Sequence, residues 1–207
     1  MAATAVQFQK EPNKPMASGG KSKYITWEYF QRHYLTREDN YKYEWVRGEI
    51  VKTKNTMNQK QLYILANLRD FFNKLIFSGK ITGYFEPEVD TFFLKGESHR
   101  RPDLSYFTKK QQAFAAHGEE QIPEFVVEVI SNNDLLTDLE DKLMDYWQAG
   151  VKVVWLIYPK QEVVYVHTMG KETARCQGDE VCSAAPVLPE FSMPAASIFV
   201  KPPLPVD

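Results

Sequence analysis

Cysteine is scarce: the 207 residues hold only Cys176 and Cys182. Two thiols cannot staple a small secreted scaffold, and their spacing does not suit a metal site. Long apolar runs are missing as well. None approaches the ~18 residues that span a bilayer, and the N-terminus has no apolar segment of the signal-peptide kind. A reducing, cytoplasmic setting with no membrane partner is the expectation. An excess of one charge is also lacking, since 25 Lys+Arg face 27 Asp+Glu for a net of −2. That balance excludes a polycation holding nucleic acid by bulk charge alone. It hides an asymmetry, however. Residues 1–100 carry 16 basic and 11 acidic side chains (+5), whereas 101–207 carry 9 and 16 (−7). No histidine pair stands at ligand spacing: His33, His99, His117 and His167 are scattered, which points to surface or satisfied roles. A phosphate-binding glycine loop is absent too. Gly20-Lys21-Ser22 imitates its end, but Pro15 stands where the loop needs a glycine.

What is present fits one domain. Hydrophobic residues at 43% and charged residues at 25% allow a sizeable core. Residues 1–22, with Pro12, Pro15, Gly19 and Gly20 among small polar residues, read as a disordered N-terminal tail. Residues 23–200 read as the folded domain and 201–207 as a C-terminal tail. Thr26 can cap a short helix carrying Trp27, Phe30 and Tyr34. Runs 43–46 and 49–52 read as a strand pair around Arg47-Gly48. Apolar residues at three- and four-residue steps predict a long helix over 57–78, with Gly79 after its end. Strands are expected over 81–85, 88–94, 104–107 and 125–130. A short helix or excursion is expected over 109–121. Asn132, Asn133 and Asp134 offer caps for a helix ending at Gly150, before a hairpin of 151–158 with 162–168. The proline-rich end reads as an extended strap. The fold class is α/β, of α+β character: a central mixed β-sheet flanked by helices.

Three residues conflict with core building. Asp103 follows Arg101-Pro102 at the mouth of a strand. Glu128 interrupts Phe125-Val126-Val127-Glu128-Val129-Ile130, where period two sets it between Val126 and Ile130 on one face. A carboxylate in so apolar a strand is costly unless paired or bound to a metal. Alone, Glu128 reads equally as the partner of a structural lysine or arginine. Lys142 is the third, the one basic residue among nine acidic ones from Glu119 to Asp145. Leu135, Leu139, Leu143 and Trp147 should pack on the sheet, with Asp138, Lys142 and Tyr146 along the border of that face. Lys142 can then bury its stem and extend its ammonium to the sheet, and Tyr146 can turn its hydroxyl the same way. Two carboxylates on adjacent strands supply hard oxygen ligands for Mg²⁺ or Mn²⁺. A lysine beside them can orient water or neutralise charge on a phosphate. That is the toolkit of a metal-dependent phosphodiesterase. Arg100-Arg101 reads either as a phosphate contact or as a loop anchor, and Glu44 alone as a strand-edge charge.

At these residues the sequence resembles the PD-(D/E)XK nuclease superfamily. Pro102-Asp103 matches its first element. Glu128-Val129-Ile130 matches the second, with Ile130 in the lysine's place and Lys142 as a lysine migrated to the next helix. The finer resemblance is to the Uma family of restriction-endonuclease-like proteins of cyanobacteria and other bacteria. It runs through Tyr43-Glu44, Gly48-Glu49-Ile50-Val51, Arg101-Pro102-Asp103-Leu104 and Glu128-Val129-Ile130-Ser131. It continues through Asp138, Lys142, Tyr146, Gly150-Val151, Trp155 and Pro159 to a closing strap at Leu188-Pro189-Glu190-Phe191. The resemblance implies a restriction-endonuclease-like core and a Mg²⁺- or Mn²⁺-dependent endonuclease acting on DNA. It implies Asp103, Glu128 and the Val129 carbonyl as metal ligands, Lys142 positioning or activating the attacking water, and Glu44 as a further acidic group near the metal. It leaves room for a homodimer. Gln61 departs from the family, which often has a histidine there. With the absent local Glu-X-Lys, that departure keeps open a catalytically inactive module that binds nucleic acid or protein. Near-neutral charge predicts weak, metal-assisted DNA affinity.

Overall fold

A computed structural model describes residues 24–54, 62–93, 98–131 and 136–204. The expected N-terminal tail, Gln61, the start of the long helix and the caps at Asn132, Asn133 and Asp134 lie outside the described residues.

Thr26 accepts the N–H of Tyr29 and caps α1 (Trp27–Phe30), which continues as a π-helical turn over Gln31–Leu35. β1 (Tyr41–Val46) and β2 (Glu49–Lys54) pair antiparallel. Arg47 and Gly48 join them with φ of 48° and 86°, the paired positive values of a type I′ turn, which matches strand twist. Then come α2 (Leu62–Phe77), β3 (Tyr84–Pro87), β4 (Thr91–Phe93), β5 (Ser98–Arg100) and β6 (Leu104–Phe107). The span after β6 is α3 (Lys109–Ala116), fixed by a capping box between Thr108 and Gln111. β7 (Phe125–Val129), α4 (Leu136–Ala149) and β8 (Val153–Tyr158) follow, and β9 (Val163–Thr168) pairs back onto β8 as the expected hairpin. The chain closes with β10 (Ala174–Gln177), β11 (Val181–Ala184), β12 (Leu188–Pro194) and α5 (Ala195–Ile198).

The central mixed sheet has the order β10-β9-β8-β7-β6-β3, in which only β7 and β8 run parallel. A parallel pair cannot close by a hairpin, so α4 serves as its crossover and lies across one face. Beside this sheet stands an antiparallel one of order β2-β1-β5-β4, and β11 and β12 form a third small ribbon. Alternation along β7 and β8 divides the core. Phe125, Val127, Val153, Trp155 and Ile157 face α2, while Val126, Val154 and Leu156 face α4. The proline-rich strap is the strand β12 rather than plain extended chain. Its Phe191 is fully buried, within 5.5 Å of the Phe85 and Trp155 ring centroids. Among the described residues no helix is long and apolar enough to cross a membrane.

Candidate active site

β7 sets the site. Period two turns Glu128 to the α4 face, where its side chain is buried. α4 brings Leu139 and Tyr146 onto the same face. Lys142 lies between them at helical steps, and its ammonium meets Glu128 Oε1 at 2.9 Å. The Tyr146 hydroxyl donates to that same oxygen. Tyr146 is therefore fully buried rather than at the border of the face, which its hydroxyl tolerates because it has a partner. Leu143 and Trp147 pack partly against this core as expected, and Leu135 lies outside the described residues.

Asp103 arrives from the neighbouring strand. β6 pairs with β7 with Leu104 opposite Val127, so two further ladder steps would set Pro102 opposite Val129. Strand β6 has ended there, and the Asp103 carboxylate takes the Val129 N–H at 2.7 Å instead. In extended chain the N–H and C=O of one residue leave on the same side. The Val129 carbonyl thus faces the side that Asp103 occupies.

The four-stranded sheet supplies the rest. Tyr43 and Trp45 of β1 pack with Phe30, which turns Lys42 and Glu44 to the opposite face. Lys42 Nζ stands 3.4 Å from Asp103 Oδ1. Glu44 is buried: Oε1 accepts the Arg101 N–H at 2.9 Å and lies 3.7 Å from Lys142, while Oε2 meets Arg100 at 3.2 Å. Arg100 also donates to Asp145 Oδ2 from Nε and NH2, at 3.0 and 2.6 Å. Arg47 holds the other Asp145 oxygen at 2.8 Å. Arg100 is thus committed to buried ion pairs, a role outside the two expected for Arg100-Arg101, while Arg101 bonds Asp90 at 2.7 Å.

Burial raises the Glu128 carboxyl above its ordinary value. Asp103 and Glu44 add to the rise, and Lys142 and Lys42 oppose it. Burial also disfavours a charged Glu44, but Lys142, Lys42 and Arg100 outweigh it and hold the carboxyl at about 2. For Lys42, burial is overcome by Asp103, Glu128, Glu44 and Glu88, so the side chain keeps its proton more firmly than a free lysine does. Burial and Glu128 push the Tyr146 hydroxyl well up. The Glu44 shift gives a first prediction. A carboxyl depressed from 4.5 to about 2 contributes stability that is present above 4.5 and lost as pH falls through that window. Urea denaturation across the window should show a slope of up to about 1.4 kcal/mol per pH unit that Glu44→Gln removes. An equal slope in wild type and variant would refute this assignment.

The expected residues Glu44, Asp103, Glu128 and Lys142 thus come together. Lys42, Arg47, Arg100 and Asp145 join them without having been singled out for these roles. Lys42 left one signal, since it alternates with Glu44 on a strand whose other face is aromatic. Among the described residues, no group of three or more His, Cys, Asp and Glu side chains stands at metal-holding spacing. The donor chemistry nonetheless fits Mg²⁺, which takes one or two carboxylates and completes its shell with water and substrate phosphate. Asp103, with a side chain 20% exposed, is the more open of the two carboxylates.

A family model for Uma2, described as "Putative restriction endonuclease", matches residues 27–196. No curated protein matches the chain. Among solved structures, the crystal structure of a putative nuclease belonging to DUF820 from Anabaena variabilis aligns with a TM-score of 0.70. It covers 84% of this chain and 97% of that chain at 20% sequence identity, a likeness of fold.

Proposed function

The chain belongs to the Uma2 family of putative restriction endonucleases, and from that premise we propose that it is a Mg²⁺-dependent endonuclease hydrolysing DNA phosphodiester bonds. The observation that carries this reading is that Asp103, just before β6, takes the Val129 N–H beside Glu128 of β7, with the Lys142 ammonium 2.9 Å from Glu128.

Asp103, Glu128 and the Val129 carbonyl would hold the metal. When bound, it would supply Lewis-acid stabilisation of phosphoryl charge and acidify a water. The chain's own side chains do the remaining work. Lys142, held between Glu128 and Glu44, orients the attacking water and donates to phosphate oxygens as charge builds on them. Glu44 is a positioning residue: ionised and anchored on Arg100 and the Arg101 N–H, it fixes where the Lys142 ammonium rests. Tyr146 fixes Glu128 by donating to the oxygen that Lys142 also meets. Attack of water breaks one P–O bond and leaves a phosphate monoester and a hydroxyl end.

The test is incubation of supercoiled plasmid and short duplex DNA with Mg²⁺ or Mn²⁺. Cleavage that chelation with EDTA abolishes is the expected result; intact DNA at micromolar enzyme would overturn the reading. One feature favours the second reading, a non-catalytic nucleic-acid- or protein-binding module: both proposed ligand carboxylates already have a lysine partner. Calorimetric titration with Mn²⁺ separates the two. Heat of binding that Asp103→Ala removes supports the enzyme, and no heat in wild type supports the module.

A further inference from the structure

Every carboxylate of the site is already met by a cation. Lys42 pairs with Asp103, Lys142 with Glu128 and Glu44, and Arg100 with Glu44 and Asp145. Arg47 completes the set on Asp145. Two of these cations are locked. Arg100 is 4% exposed and commits Nε, NH1 and NH2 to two carboxylates. Lys142 is shared between two buried carboxylates. Lys42 differs. Its ammonium makes a long contact, 3.4 Å, to the most open carboxylate of the set. Glu128, Glu44 and Glu88 act on it through their field.

We propose that Lys42 is an exchangeable counter-ion: it occupies the charge of Asp103 in the metal-free protein and, when a divalent ion takes Asp103, turns its ammonium to a non-bridging oxygen of the DNA backbone. This rests on the metal-dependent nuclease reading and extends it to a cation that reading does not use. The charge arithmetic supports it. A divalent ion added to a site whose carboxylates are already paired leaves surplus positive charge. An anion must balance that surplus, and the phosphodiester is the anion the substrate brings. A lysine is suited to the exchange, being a point charge on a flexible four-carbon stem with three donors. The consequence is linkage: metal and DNA each bind weakly alone and strengthen one another by equal factors.

The test is calorimetric Mn²⁺ titration of wild type, Lys42→Met and Lys42→Arg without DNA. It is joined by anisotropy of a labelled short duplex with and without Ca²⁺ at fixed ionic strength. Lys42→Met removes the competing charge and keeps the stem. It should bind Mn²⁺ about tenfold more tightly than wild type, because one unit charge a few ångströms from the metal is removed. Ca²⁺ should strengthen duplex binding about tenfold in wild type and about twofold or less in Lys42→Met. Lys42→Arg keeps the charge and should restore wild-type weakness for Mn²⁺, which separates lost charge from a disturbed fold. If Lys42→Met binds Mn²⁺ no more tightly than wild type, the exchange is wrong while the metal site stands. If neither protein binds Mn²⁺, both the exchange and the metal-dependent reading fall.

Discussion

Asp103→Asn and Glu128→Gln are each expected to lower metal-dependent DNA cleavage by about a thousandfold, roughly 4 kcal/mol of transition-state stabilisation. Both changes preserve size and remove only the charge. In Asp103→Asn the side-chain amide would still offer an oxygen to the Val129 N–H, which now lies 2.7 Å from the Asp103 carboxylate. In Glu128→Gln the amide oxygen would still accept from Tyr146 and Lys142. The folded state should therefore persist while the metal position loses its negative charge. Initial rates of plasmid nicking, read beside thermal melting curves, separate the two effects. Variants that nick at the wild-type rate would remove these carboxylates from the chemistry. For Glu128→Gln the melting temperature should not fall, because the change relieves a carboxylate that burial already disfavours.

Arg100→Met should cost stability rather than only activity, by about 3–5 kcal/mol in urea denaturation. Arg100 is buried between Glu44 and Asp145, themselves 3% and 4% exposed. Removing it strands two buried carboxylates, with Asp145 left to Arg47 and Glu44 to Lys142 and the Arg101 N–H. Arg100→Lys should recover only part of the loss. A lysine cannot reproduce the fork that donates to Asp145 from Nε and NH2 and to Glu44 from NH1. A loss below about 1 kcal/mol would mean that water reaches the cluster and screens it.

The contrast between these two sets of residues explains what was legible in the sequence. Asp103, Glu128 and Lys142 stand against their local pattern: a charge in an apolar strand, a carboxylate after proline, one cation in an acidic stretch. Local patterns are what sequence displays. Glu44 was legible through resemblance alone, since period two on β1 is also what an ordinary edge strand shows. Arg100 and Asp145 had no such mark. Ser98-His99-Arg100 is too polar to read as a strand, yet all three are buried, with His99 on Asp90 and Arg100 on Glu44 and Asp145. Asp145 sits among acidic helix residues that mostly face solvent, and its burial depends on Arg47 of the β1–β2 turn and Arg100 of β5. For the fold, β7, α4, β8 and β9 followed from periodicity and turn chemistry. The strand β12 did not, because prolines mask a pairing that only β11 makes favourable.

The charge cluster also determines how the site would be lost. Glu128 lies on the six-stranded sheet and Asp103 at the end of its neighbouring strand, while Lys42, Glu44 and Arg100 belong to the four-stranded sheet. That ionic lattice, with α4 across it, aligns the two groups. The site is thus a seam rather than a pocket carved in one body. A seam can part while both sheets keep their strands, in a sub-global opening that costs less than unfolding. Acid and substitutions at Arg47, which holds Asp145 from the β1–β2 turn, would act on the same joint, and the joint would yield before the fold does.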